Sequence, residues 1–381
     1  MTVQSARARR VIQRSAPAGA AAVAATLLLV GCGTGGPGAT GDHASSAGAS
    51  PVAGIDCAGK SQVPGSGSTA QQNVMKYWID QYQRACPGVQ IAYNPLGSGA
   101  GAAQFLRGAT AFGGSDSALK PEEVELSKQT CAGGRAINLP MAGGPIAVGY
   151  NLPGVDDLVL DAPTLAGIFD SRITTWDAPQ IRALNPGAEL PSTRIRPVHR
   201  SDDSGTTQNL QAYLAGAAPA AWPYSAEKSW QARGGGSANG SSGVVSEVNS
   251  SYGSIGYFEL SFAASSHVPA VRIDTGSAEP VAPSPESASA GIAAARVAGQ
   301  GKDMSLKFRY GHSAAGAYPI VLVTYEIVCD KGNRAATLPA LKSFLTYTAS
   351  DEGQQALTRI HYAPLPDTVA TQVRQTVRSL S

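Results

Sequence analysis

The apolar positions of this chain change period several times, and each change predicts an element. Val74, Trp78 and Tyr82 recur every four residues with Met75 and Ile79 beside them, which predicts an amphipathic helix. Val89, Ile91 and Tyr93 then alternate as in a strand. Gly97-Ser98-Gly99 introduces a second helix with Ala102, Phe105 and Leu106, and Phe112 starts another short extended piece. Ahead of the first helix, a short extended stretch after Cys57 ends in the turn Gly65-Ser66-Gly67-Ser68-Thr69. This β-α-β-α-β order predicts an α/β fold with a parallel sheet and helices on its faces.

A Pro- and Gly-punctuated segment, Leu139 to Tyr150, leads into a middle region rich in loops, among them Gly234-Gly235-Gly236 and the stretch Ala278 to Ala290. Pro319 to Tyr325 is an uninterrupted apolar run of the kind that forms a buried strand. A helix with Leu338, Leu341, Phe344 and Leu345 follows, and a closing helix carries Val369, Val373 and Val377. No fixed-period repeat is visible, which argues against a solenoid or propeller.

The N-terminus has its own pattern. Arg7, Arg9, Arg10 and Arg14 precede an uncharged apolar run from Ala18 to Val30, the layout of a signal peptide. The run is shorter than the roughly 20 residues that a spanning helix needs. It ends at Leu29-Val30-Gly31-Cys32, which resembles a lipobox, so Cys32 is expected to be diacylated and the chain held to a membrane by that anchor alone. Arg9-Arg10 leaves the twin-arginine export route open beside the general one. From Gly33 to Gly54 the chain is mainly Gly, Ala, Ser, Pro and Thr, too poor in large apolar groups to offset its ordering entropy, and reads as a flexible tether.

Charge narrows the classes further. With 29 Lys and Arg against 27 Asp and Glu, and 15% charged residues, the chain lacks the clustered basic excess of a nucleic-acid binder. Of the five cysteines, acylation of Cys32 leaves four in an oxidising compartment, where an even set favours disulfides. Three connectivities are open. A βα unit brings its two ends to one edge of a sheet, which favours Cys57–Cys86 with Cys131–Cys329.

Four Ser/Thr/Gly turns sit where a strand gives way to a helix or loop, the place where an open parallel sheet presents its ligand crevice. Gly67-Ser68-Thr69-Ala70 opens the first helix, where amide N–H groups lack intrahelical acceptors and the dipole favours an anion. Gly97-Ser98-Gly99-Ala100 repeats that arrangement, with Ser98 as a natural cap. Phe112-Gly113-Gly114-Ser115-Asp116 places a carboxylate straight after a strand. Arg200-Ser201-Asp202-Asp203-Ser204-Gly205-Thr206-Thr207 precedes a helix with Leu210, Tyr213 and Leu214; Arg200 offers a fork for an oxyanion and Asp202 is suited to hold that fork. Taken singly, each turn fits a capping role as well.

Together the four turns resemble those of the phosphate-specific periplasmic binding proteins of the phosphate ABC importer, and the resemblance covers nearly all of the chain after Cys57. Gly65-Ser66-Gly67-Ser68-Thr69 is similar to the family's first loop, Gly97-Ser98 to its second, Ser115-Asp116 to its third, and Arg200 with Ser204-Gly205-Thr206 to its arginine and serine-glycine-threonine. Thr175-Trp176-Asp177, Leu184-Asn185-Pro186-Gly187, Ser254-Ile255-Gly256-Tyr257 and Tyr362-Ala363-Pro364-Leu365-Pro366 are similar too. Ala70 stands where the family often has phenylalanine but keeps the backbone N–H, and Asp203 is an extra acid that must face away from a bound anion.

The resemblance implies a two-lobed periplasmic-binding-protein fold, each lobe a mostly parallel sheet flanked by helices, with the ligand in the cleft and two crossover hinge strands. The lobes would be residues 55–143 with 318–381, and 144–317, after a signal peptide over 1–31 and a tether over 32–54. The implied ligand set is Ser68, Thr69, Ala70, Ser98, Asp116, Arg200, Ser204, Gly205 and Thr206, with Asp202 behind Arg200. Inorganic phosphate and the permease subunits of an importer are the implied partners; no cofactor or metal is called for, and a monomer is expected. Two other readings are a phosphate-releasing hydrolase and a surface lipoprotein or adhesin on the same fold. His43, His199, His267, His312 and His361 have no zinc-like spacing, and there is no Gly-x-Ser-x-Gly elbow or Walker A loop, which leaves the hydrolase little support.

Overall fold

Val74, Met75, Trp78 and Tyr82 are the buried residues of a helix over Gln72–Ala85 in the computed structural model of the chain, which describes residues 55–310 and 314–381. The expected signal peptide, Cys32 and the tether lie outside the described residues. The strands are β1 (Gln62–Gly67), β2 (Gln90–Pro95), β3 (Phe112–Ser115), β4 (Ala136–Tyr150), β5 (Val159–Asp161), β6 (Arg196–Arg200), β7 (Gly236–Ala238), β8 (Ser254–Glu259), β9 (Arg272–Asp274), β10 (Arg296–Val297), β11 (Leu306–Lys307) and β12 (Val321–Cys329). Eight of them form one sheet in the order β2-β1-β3-β12-β4-β8-β6-β7, while β5 pairs with β9 and β10 with β11.

The sheet is parallel at its wings, where β1 pairs with β2 and β3, and β6 pairs with β7 and β8. Its centre is antiparallel: β12 pairs with β3 and β4, and β4 with β8. The reason is β4, fifteen buried residues that serve both halves. Ala136–Pro145 lies along β12, and Ile146–Tyr150 along β8. The chain thus passes between halves inside one strand, where Gly143 and Gly144 permit close contact. A Cβ on Gly143 would stand 2.1 Å from Ile292 Cδ1.

Each half has its own apolar core. Val63, Trp78, Tyr82, Ile91, Phe112, Leu341 and Phe344 pack under the helices Gln72–Ala85, Leu338–Thr348 and Asp367–Arg378. Leu165, Phe169, Trp176, Leu210, Leu214, Trp222 and Tyr257 form the other. Disulfides join Cys57 to Cys86 and Cys131 to Cys329. Among the described residues no helix is long and apolar enough to cross a membrane.

Two local expectations are corrected. Gly65-Ser66-Gly67 is the end of β1, not a turn: a Cβ on Gly65 would lie 2.1 Å from the Phe112 ring, and one on Gly67 2.0 Å from Gly114 O, so these glycines serve close strand packing. Part of the stretch 278–290 is helical, since Ser284 accepts from Ser287 N, Pro285 begins the helix Pro285–Ala293, and Ala288 and Ile292 are buried beneath it. Met304, on the 144–317 segment, packs in the core of the first half, and the neighbouring Asp303 accepts from N and Nδ2 of Asn138 at 2.7 Å each, so this segment rests on both halves.

Candidate anion-binding site

The helices Gln72–Ala85, Ser98–Leu106, Gly205–Ala217 and Gly240–Ser250 all begin near the boundary of the two halves of the sheet. Their first-turn amides have no intrahelical acceptors, and their dipoles give the region a positive bias. Glycine makes the approach possible: a Cβ on Gly205 would meet Asp116 Cβ at 2.8 Å and Ser98 Oγ at 2.9 Å.

The structure brings the sequence-predicted residues into one buried polar cluster. Ser68, Ser98, Asp116, Arg200, Ser204 and Thr206 are each no more than 2% exposed, and Thr69 is 5% exposed. Ser68 Oγ and Thr206 Oγ1, from opposite halves, donate to Asp116 Oδ2 at 2.7 and 3.1 Å. Ala70 N donates to Ser68 Oγ at 3.0 Å. Ser98 is not the cap of its helix, a position held by Gly97 at φ 103°. Its hydroxyl oxygen accepts from Gly205 N at 3.0 Å and Asp116 N at 3.3 Å, tying three of the predicted turns together. Ser204 Oγ caps the next helix by accepting from Thr207 N at 3.2 Å.

Arg200 is held by Asp202. Its Nε donates to Asp202 Oδ1 at 2.7 Å and its second terminal nitrogen to Asp202 Oδ2, while Gly240 N also donates to Asp202 Oδ1 at 3.0 Å. Burial works against an ionised Asp202, but the Arg200 bonds and charge outweigh it and keep the carboxyl below its ordinary range. Asp203 is exposed and gives its backbone carbonyl to Gly99 N at 3.0 Å, so the extra acid faces away. Asp116 is shifted the other way: burial raises it, and bonds from Ser68 and Thr206 only partly offset that. Its Oδ1 is buried with no hydrogen-bond partner among the described residues.

Sequence reasoning missed several groups. Ser241 belongs to a fifth turn, Asn239-Gly240-Ser241-Ser242-Gly243, whose Ser/Gly composition after a strand was the available signal. Its N donates to Thr69 Oγ1 at 3.0 Å and its Oγ lies 3.0 Å from the same atom. Tyr257 holds the Arg200 strand from behind, with Arg200 N donating to its hydroxyl at 3.2 Å and Thr207 Oγ1 2.6 Å away.

Glu326, opposite Gly114 on β12, is 1% exposed, and neither carboxyl oxygen has a partner among the described residues. Burial, then the charge of Asp116, pushes it well above the ordinary carboxylate range. A raised folded-state pKa means that the folded chain holds a proton which the unfolded chain releases. Stability is therefore full below the unfolded value, about 4.3, and is lost as pH rises through the folded one. Glu326→Gln should remove this loss. Denaturant unfolding across that window should show the variant gaining on the wild type by about 1.4 kcal/mol per pH unit.

With this geometry in place, likeness to known proteins is informative. Residues 43–352 match the PBP superfamily domain. The high-affinity periplasmic phosphate-binding protein PfluDING bound with phosphate has the same fold, with TM-score 0.69 and 23% identity over 83% of this chain and 93% of that chain. A phosphate binding protein from Stenotrophomonas maltophilia gives a TM-score of 0.66 at 19% identity, with 83% and 93% covered. Fold and matched domain define a substrate-binding protein of the periplasmic-binding type. Phosphate-binding protein PstS 2 of Mycobacterium tuberculosis is 41% identical, covering 97% of this chain and 99% of that protein. PstS of Xylella fastidiosa is 32% identical, covering 82% and 84%. The chain belongs to the PstS phosphate-binding protein family.

Proposed function

We propose that this chain binds inorganic phosphate in the closed cleft between two lobes, outside the cytoplasm, and delivers it to the permease subunits of a phosphate ABC importer. The observation that carries this reading is Asp116. One carboxylate oxygen is saturated by hydroxyls from both halves, and the other is a buried acceptor without a partner in a cluster otherwise rich in donors. Such a site asks for a ligand that is an anion and also carries a proton to donate. Phosphate has a P–OH at neutral pH; sulfate, fully ionised, offers none.

The relatives named as phosphate-binding proteins support the same ligand. In this reading residues 55–143 with 318–381 and residues 144–317 are the lobes, joined by hinges near Pro140–Ile146 and Tyr318–Val321. In the ligand set Ser68, Thr69, Ala70, Ser98, Ser204, Gly205 and Thr206, the Thr69, Ser98 and Ser204 hydroxyls face the ion as donors, the Ser68 and Thr206 hydroxyls hold Asp116, the Ala70 and Gly205 amides brace Ser68 and Ser98, and Arg200 supplies the formal positive charge. Cys32 carries the lipid anchor, and the protein acts as a monomer.

The test is calorimetric titration of phosphate-depleted protein with phosphate and then sulfate. Saturable heat with phosphate, and none with sulfate at the same concentration, is expected. No phosphate binding overturns the reading, and turnover of a phosphoester would favour the hydrolase.

A further inference from the structure

Glu259 ends β8 where β4 changes partners, opposite Ile146, and is fully buried. Gly144 makes room for it, since a Cβ there would lie 3.2 Å from Glu259 Cγ. The Glu259 carboxylate accepts from Ser261 N at 3.1 and 3.0 Å and from Ser261 Oγ. Ser261 Oγ accepts from Asn73 Nδ2 at 2.7 Å, on the helix that follows the Ser68–Ala70 turn. Beside it, the hydroxyl of Tyr362 lies 3.4 Å from Ser261 Oγ and donates to Ala70 O at 2.5 Å. Ala363, next in the chain, pairs with Gly143: Gly143 N donates to Ala363 O at 2.8 Å and Ala363 N to Gly143 O at 2.9 Å.

We propose that Asn73, Ser261, Glu259 and Tyr362 form a latch at the crossover that holds the two halves closed and fixes the Ala70 turn from behind. The proposal rests on the phosphate reading only for its ligand. Glu259 and Ser261 belong to the β8 half, whereas Asn73, Ala70 and Tyr362 belong to the other, so the Asn73–Ser261 bond and the Tyr362–Ser261 contact form only when the halves meet, while the Glu259–Ser261 and Tyr362–Ala70 bonds orient the two partners within their own halves. The latch touches backbone and hydroxyl groups behind the anion turns, which makes its members positioning residues. It also gives a role to two sequence stretches that the anion contacts leave unused, the strand ending at Glu259 and the turn Tyr362-Ala363-Pro364.

The latch carries a proton. Burial pushes Glu259 up to about 8, against the bonds from Ser261 and the nearby hydroxyl of Tyr362, and the charge of Asp116 adds to the rise. Tyr362 and Asp116 are thus the titratable groups that act on it. Opening lets water reach the carboxyl and returns it toward its ordinary range, so the closed state holds the extra proton and rising pH favours opening.

The experiment measures phosphate dissociation by stopped-flow tryptophan fluorescence, and amide hydrogen exchange without added ligand, on the full chain and on Tyr362→Phe and Glu259→Gln. Tyr362→Phe should release phosphate about tenfold faster with little change in association, because it removes both the hydroxyl contact across the halves to Ser261 and the bond that holds the Ala70 turn. Glu259→Gln should release at near the wild-type rate at acidic pH but lack part of the wild-type acceleration at alkaline pH. In Tyr362→Phe, exchange at residues 70–73 and 259–263 should accelerate together. If the wild type gives no phosphate signal, the phosphate reading fails, and joint acceleration of the two segments still supports the latch. Unchanged release in Tyr362→Phe with an unchanged pH profile in Glu259→Gln overturns it, as does exchange that accelerates in one segment only or in neither.

Discussion

Asp116→Asn is expected to lower the ratio of phosphate to sulfate affinity by about 10³-fold, with phosphate binding weakened and sulfate binding strengthened. The asparagine oxygen can still accept the Ser68 and Thr206 hydroxyls that Oδ2 now holds at 2.7 and 3.1 Å. Its NH₂ group then occupies the position of Oδ1, which has no protein partner. An acceptor that phosphate alone can satisfy is thereby replaced by a donor that any oxyanion satisfies, and a negative charge leaves the site. Sulfate gains on both counts; phosphate gains the charge relief but loses the bond that distinguished it. Because burial already raises the Asp116 pKa, the neutral amide should not destabilise the fold, so thermal unfolding separates this outcome from misfolding. Calorimetric titration with both ions checks the ratio, and an unchanged ratio would make Asp116 a structural residue.

Legibility of the sequence followed the range of the interactions. Helix Gln72–Ala85 could be read because its buried residues repeat with the helical period, a local property. The anion turns could be read because glycine, serine and threonine mark helix starts whatever surrounds them. What could not be read depends on partners far along the chain. Ser98 resembles a plain cap until Gly205, 107 positions later, donates to it. Glu326 sits in an apolar run and looks like one residue of a buried strand; only the packing reveals a carboxyl with no partner. Glu259 and Tyr362 are 103 positions apart in sequence, and their relation exists only once β4 has crossed between the halves. The antiparallel centre of the sheet was hidden for the same reason, since pairing direction belongs to the return of β12 from the far end of the chain.

Arg200→Ala should weaken phosphate and sulfate alike, by about 10³-fold, and so contrast with the selective effect at Asp116. The guanidinium is 1% exposed and binds both oxygens of Asp202, whose side chain is 11% exposed. Nε and one terminal nitrogen are committed to this pair, which fixes the plane of the fork. The remaining N–H groups, including those on the terminal nitrogen 3.5 Å from Ser241 Oγ, can turn toward an anion. Truncation removes that charge and also leaves Asp202 ionised, partly buried and close to the ligand, so attraction is exchanged for repulsion. Breaking such a pair from one side should cost about 3 kcal/mol of stability. Lysine should rescue poorly, since a single ammonium cannot hold Asp202 with two bonds and still face the ligand. Two further measurements isolate the repulsion. Adding Asp202→Asn to Arg200→Ala should recover about tenfold in affinity for both anions, because the buried charge is then gone. In the single variant burial is opposed only by the backbone N–H bonds of Gly240 and Asp202 itself, so Asp202 takes up a proton more readily than in the wild type, where Arg200 keeps it ionised, and lowering the pH should also recover affinity. If the double variant binds no better than the single one, Asp202 exerts no field on the ligand, and its role is confined to orienting the arginine.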